Sequence, residues 1–180
     1  MVTDPEGGAV AIVDYDPRWP RQFEEEKARI LAATDSQVVA VEHIGSTAVP
    51  GLAAKPIIDI LAGIRHLEVA RACIAPLATI GYEYVPEYET ELPERRYFRK
   101  GPREARTHHV HLVEVEGAFW RRHLAFRDYL RAHPEEAKRY AALKRALAAK
   151  FGEDREAYTD GKTAYVRGIE AKAASGERKP

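Results

Sequence analysis

Residues 42–61 read EHIGSTAVPGLAAKPIIDIL, from Glu42 to Leu61. An apolar run ends in Gly45 and Ser46, a Pro-Gly turn follows, and one carboxylate, Asp59, then stands inside PIIDILAGI, a segment otherwise apolar enough to be buried. Two strands account for this pattern: QVVAVEHIG before the turn and PIIDILAGI, a continuous buried strand, after it. Gly45 ends the first strand, where a chain entering a tight turn often needs a residue without a side chain. Backbone N–H groups at such a turn, with the hydroxyls of Ser46 and Thr47, suit phosphate oxygens. Asp59 on the neighbouring strand is placed to hold a divalent metal that bridges phosphates. The plainer reading makes Gly45 and Ser46 a turn and Asp59 a structural acid paired with Lys55 or an arginine.

Working outward, the chain before this segment starts a helix in VDYDPRWPRQFEEEKARILAAT, with Asp16 as its cap and Pro17 in its first position. Residues 1–9 are polar and Gly-containing and are expected to be disordered. After the segment, HLEVARACIAPLATIG reads as helical and stops at Gly81. YEYVPEY, RRYFRKG and HHVHLVEVE read as strands, and three helices follow from Gly117, punctuated by Pro134 and Gly152. The order predicts an α+β fold: one mixed sheet packed by helices on one side, with a helical C-terminal region. The expected domain is single, 10–175, with an α/β core over 10–116 and a helical part over 117–175.

The chain has 180 residues, enough for one domain with a sizeable core. Lys plus Arg and Asp plus Glu both number 28, so no net charge draws nucleic acid or anionic lipid. The single cysteine, Cys73, forms no internal disulfide, which suits a reducing compartment. The N-terminus lacks a basic region followed by an apolar run, and no apolar stretch approaches a membrane span. These features place the chain in the cytoplasm.

In HHVHLVEVE, residues two apart share a strand face, so His109 and His111 point together and His108 points away. With Asp59 they make a plausible set for zinc, manganese or iron, or acid/base groups near neutral pH. The plainer reading is a hydrogen-bonded strand face. Arg95 and Arg96, in the basic segment RRYFRKGPREAR, have forks that suit phosphate, or else belong to a solvated hairpin. Arg127 in FRDYLRAHP reads as a helical ion pair, with a reach into the cleft as the alternative. Lys162 follows a glycine within the helical YTDGKTAYV, where glycine costs about 1 kcal/mol against alanine, and Lys162 is a candidate to reach a phosphate. Trp19, Trp120, Phe126 and Tyr140 recur at helical spacing and read as core.

HIGSTAVPGLAAKPIIDIL resembles the signature of the GrpB family, also found fused to dephospho-coenzyme A kinase. The resemblance continues through RRYF, HVHLVE, FRDYLRAHP, YAALK and YTDGKTAYV. It implies a nucleotidyltransferase-like core followed by a helical region. The superfamily pattern is a Gly-Ser turn, a strand bearing two carboxylates one residue apart, and a third acid on a later strand. Gly45 and Ser46 match the turn and Asp59 one carboxylate, but Ile57 and Leu61 stand where the paired acid would be.

The expected function is that of a nucleotidyltransferase-like protein binding a nucleotide or another phosphorylated small molecule. It would transfer a nucleotidyl group with a divalent metal: magnesium first, manganese or zinc as alternatives. Asp59 and His111 are the expected catalytic residues, and Asp59, His109 and His111 the metal ligands. Gly45, Ser46, Thr47, Lys55, Arg95, Arg96 and Lys162 are expected on the phosphates. The alternatives are a non-catalytic phosphate-binding module and a His/Asp metal-dependent hydrolase.

Overall fold

A computed structural model describes residues 10–176; the expectation for 1–9 lies outside the described residues. Five strands form one mixed sheet: β1 (Ala40–Ile44), β2 (Ile58–Ile64), β3 (Tyr82–Tyr84), β4 (Arg95–Lys100) and β5 (His108–Glu114), in the order β1-β2-β5-β4-β3. Only β2 and β5 run parallel; the other neighbours are antiparallel. The helices are α1 (Trp19–Ala33), α2 (Ile74–Thr79), α3 (Ala118–Ala132), α4 (Pro134–Phe151) and α5 (Arg155–Ala174). The α+β class with a helical C-terminal region is therefore observed, and no helix among the described residues is long and apolar enough to cross a membrane.

Register assigns the two faces. Asp59 pairs with His109, Leu61 with His111 and Ile44 with Asp59, so Ile44, Asp59, Leu61, His109, His111 and Tyr97 share one face. Ile58, Ile60, Ala62, Val110, Leu112 and Phe98 share the other and pack, fully or almost fully buried, with Trp19, Phe23 and Ile30 of α1 and Leu77 of α2. Burying each such large side chain contributes about 2–3 kcal/mol.

Helices cover both faces, not one. At the Leu61 and Val113 end of the first face, Phe119 and Trp120 of α3 close a second core with Ile44. Gly63 leaves room there: a Cβ on it would lie 2.8 Å from the Trp120 ring. A third core joins Val49 and Leu52 of the β1–β2 connection to Leu130, Ala137, Tyr140 and Ile169 of α3, α4 and α5. The connection that leaves β1 is thus clamped by the C-terminal helices.

Three local expectations shift. YEYVPEY is strand only over Tyr82–Tyr84; Pro86, which has no N–H for a ladder, opens a 3-10 helix over Pro86–Glu89. Helix α1 begins at Trp19, with Pro20 in its first turn, rather than at Pro17. Asp16 makes no cap: its carboxylate accepts from the Arg18 backbone N–H at 2.9 Å and from the Arg18 guanidinium. The segment after β2 is not one helix but a 3-10 turn over Leu67–Cys73 followed by the short α2, ending before Gly81 at φ +92°. Pro76 lies in α2's first turn, where its missing N–H breaks no helical bond.

Candidate functional site

The uncovered end of the Asp59 face floors a cleft of about 460 Å³. One wall is the turn after β1. Gly45 takes φ +71°, a region that favours glycine, and a Cβ there would stand 2.6 Å from Asp59 Oδ2. The turn and the carboxylate therefore touch only because residue 45 has no side chain. Ser46–Ala48 form a single 3-10 turn. Within it Thr47 is buried, accepting from His43 Nε2 at 2.9 Å and donating to the Ile57 carbonyl at 3.3 Å. Its hydroxyl is thus engaged within the turn and its strand, whereas the Ser46 hydroxyl meets the opposite wall of the cleft, accepting from Lys144 Nζ at 2.8 Å. His43 lies on the other sheet face, stacked on Phe23, and burial pushes its imidazole down to about 4.

Asp59 accepts from His109 Nδ1 at 3.2 Å and keeps 31% of its side-chain surface open. Burial pushes its carboxyl up. The His109 hydrogen bond and the positive groups around it, Lys55 among them, outweigh that and hold it below the usual range. Neither arginine nor lysine forms a direct ion pair with it among the described residues.

His111 sits beside His109 on the same face, as their spacing predicts. Its Nδ1 accepts from the Arg95 guanidinium at 3.3 Å. Burial and the Arg95 charge hold its imidazole well below its ordinary value, so it is neutral. Arg95 also lies 5.0 Å from the Tyr97 ring and 5.6 Å from that of Tyr88, and its Nε has no hydrogen-bond partner among the described residues. No carboxylate pairs with it among the described residues.

Arg96 does not reach the cleft. Strand alternation turns it to the opposite side, where it meets Glu89 at 3.3 Å and the Pro93 carbonyl. Arg99 and Arg106 are both drawn to Glu83, so most of the basic segment is neutralised by the protein. Arg127 joins Glu42 at 2.7 Å, Asp128 at 2.7 Å and the His43 carbonyl at 3.1 Å, locking α3 to β1.

The C-terminal helices supply the opposite wall: Phe126, Tyr140, Lys144, Tyr158, Thr159 and Lys162. Lys144 is the largest omission from the sequence reading. It is 3% exposed and donates to Ser46 Oγ at 2.8 Å and the Ala53 carbonyl at 2.6 Å. Burial, then Lys162 nearby, pushes its ammonium down to about 7; burial, then Lys55, pushes Lys162 down to about 8. Lys144 lies within YAALK, and its only sequence signal was that resemblance. Tyr140 and Phe126 are packed in the helical core yet also face the cleft.

A protein-held divalent metal does not fit these residues. Among the described residues no group of three or more His, Cys, Asp or Glu is placed to hold one. Of the expected set, Asp59, His109 and His111 share one face, but His111 Nδ1 is taken by a guanidinium, and the positions flanking Asp59 on its strand, Ile57 and Leu61, are apolar. Three lysines and an arginine line a cleft that holds two carboxylates, Asp59 and Glu91.

Comparison with known proteins agrees with this fold. Residues 9–172 match the GrpB protein family. The chain is 42% identical over 164 residues to the protein YqkA of Bacillus subtilis, covering 91% of this chain and 47% of that protein, so it spans about half the relative's length. A dephospho-CoA kinase of Mycolicibacterium paratuberculosis is 28% identical, over 88% of this chain and 44% of its own. The crystal structure of conserved protein GrpB from Enterococcus faecalis superposes with a TM-score of 0.84 at 42% identity, covering 92% of this chain and 98% of that one. Cid1, solved with the UTP analogue UMPNPP, superposes with a TM-score of 0.50 at 13% identity, over 86% of this chain and 48% of its own, which shows a nucleotidyltransferase-like fold. The family match spans nearly the whole chain, and the cleft and sheet lie inside it: this chain belongs to the GrpB family.

Proposed function

We propose that the cleft binds a nucleotide or another phosphorylated small molecule. One observation carries this reading: Lys55, Lys144 and Lys162 converge beside the Ser46 turn with no ion-pair partner among the described residues. Clustered, desolvated ammonium groups repel one another, and an anion relieves that repulsion. Arg95 adds a guanidinium fork across the cleft, and Tyr88 and Tyr97 line it with ring surface for a base. A cytoplasmic location accords with the free, buried Cys73.

Transfer of a nucleotidyl group to a small acceptor is the second reading, favoured by the fold shared with Cid1. The acceptor would be the nucleophile. A metal-dependent hydrolase draws no support here: among the described residues no group of three or more His, Cys, Asp or Glu is placed to hold a metal.

The test is calorimetric titration of the full chain with nucleoside mono-, di- and triphosphates, beside a Lys144→Met, Lys162→Met double variant. Binding that the double variant weakens by about a hundredfold, roughly tenfold per lost charge contact, supports the reading. Affinity unchanged by the loss of both lysines would overturn it. Chromatography of the bound nucleotide after incubation with alcohols and amines separates transfer from binding alone.

A further inference from the structure

We infer that the cleft takes its phosphates as a metal-free polyanion, with Lys55, Lys144 and Lys162 neutralising the charge that metal ions neutralise in two-metal phosphoryl-transfer sites. The inference rests on the phosphate-binding reading above and adds which form of the ligand is bound.

The donor chemistry comes first. A two-metal site needs several carboxylates, and this strand offers Asp59 between apolar Ile57 and Leu61. One Asp59 oxygen is engaged by His109, and the nearest further imidazole, His111, has its Nδ1 on Arg95. A metal ion would enter a cleft already lined by Lys55, Lys144, Lys162 and Arg95, so like charges would oppose it.

The amines, by contrast, are built to receive an anion. They sit against tyrosine rings rather than carboxylates: Lys144 lies 4.6 Å from the Tyr140 ring, and Lys162 and Lys55 lie 4.8 and 5.9 Å from that of Tyr158. Ring faces hold an ammonium without cancelling its charge. Lys144 is fixed by Ser46 and Ala53, which use two of its three N–H donors and leave one for a ligand. Asp59 then acts as the resident counter-charge that keeps the empty cluster tolerable. Four cationic side chains against two carboxylates leave a surplus suited to a ligand with two or more negative charges. Magnesium on a polyphosphate removes two of those charges and so weakens the match.

The experiment titrates the full chain with ATP and, separately, with inorganic tripolyphosphate, in EDTA and in excess magnesium chloride. The expected result is binding about tenfold or more tighter in EDTA. Equal or tighter binding in magnesium overturns the inference and leaves the phosphate-binding reading standing. Binding in neither condition, with the fold intact by circular dichroism, sinks that reading and the inference together. Asp59→Asn supplies an independent arm, since the carboxamide oxygen can still accept from His109. Removing a counter-charge should tighten tripolyphosphate binding in EDTA about threefold. Loss of that binding in a folded Asp59→Asn protein would instead make Asp59 a ligand-holding group and overturn the proposal.

Discussion

At residue 45 a backbone angle and a contact make the same demand. The φ of +71° is costly for any residue with a Cβ, and that Cβ would press on Asp59 Oδ2. Gly45→Ala is therefore expected to lose about 2 kcal/mol or more in a urea melt, and to displace Asp59 from His109. A melt within a few tenths of a kcal/mol of the parent would contradict the geometry. The buried lysines make a second prediction, about pH. Their folded pKa values, about 7 for Lys144 and about 8 for Lys162, lie below the ordinary lysine value. From the folded values up to that ordinary value the unfolded chain holds more protons, so stability rises with pH there. For Lys144 the gain is about 1 kcal/mol per pH unit, and less for the half-buried Lys162. Lys144→Met should flatten the rise measured between pH 7 and 9. The phosphate binding proposed for the cleft is expected to move the other way, weakening in a titration series as pH climbs through 7 to 8 and the free amines lose their protons.

Among the elements, α4 and α5 show why a helix keeps a glycine. A Cβ on Gly161 would lie 2.5 Å from Leu147 Cδ2 and 3.2 Å from its Cδ1. Close approach of the two helices, which carry Lys144 and Lys162 to the cleft, is the packing reason that YTDGKTAYV contains it. Gly161→Ala gains about 1 kcal/mol of helix propensity and loses about 1–3 kcal/mol to overpacking. The expected net is destabilisation, with weaker phosphate binding as the two amines move apart. A raised melting temperature would mean that Leu147 yields freely. On β4, alternation sends Tyr97 to the cleft and Phe98 to the core, and the same rule removes Arg96 from the site.

Across the whole molecule, the site depends on both parts of the chain. The sheet half provides Ser46, Lys55, Asp59, Arg95, His109 and His111, and the helical half provides Tyr140, Lys144, Tyr158 and Lys162. The helical half also covers Leu61 and Val113 with Phe119 and Trp120, and Arg127 ties it to Glu42. A fragment of residues 10–116 is thus expected to expose a buried apolar face, to melt without cooperativity and to bind no tripolyphosphate. A sharp thermal transition in that fragment, followed by scanning calorimetry, would show the sheet to be independent.

Read alone, the sequence determined the faces of the strands and most of their extent, although YEYVPEY leaves the sheet after Tyr84 and turns as a 3-10 helix over Pro86–Glu89. A period of two puts His109 with His111 and Tyr97 opposite Phe98 whatever the partners are, because alternation is a local property of extended backbone. Gly45, Ser46 and Asp59 were legible for the same reason: a turn and a buried strand lie next to each other along the chain. Helix starts were less legible, since Asp16 holds Arg18 and delays α1. What only the tertiary structure decided is the charge of the site. Lys144 stands 98 residues from Ser46 along the chain, and no local pattern distinguishes it from the solvated lysines of an amphipathic helix. Packing α4 and α5 across the β1–β2 connection buries it, and the same packing turns a strand with a single acid into the floor of a cationic cleft. The chemistry there comes from contacts between distant segments, and periodicity carries no record of those.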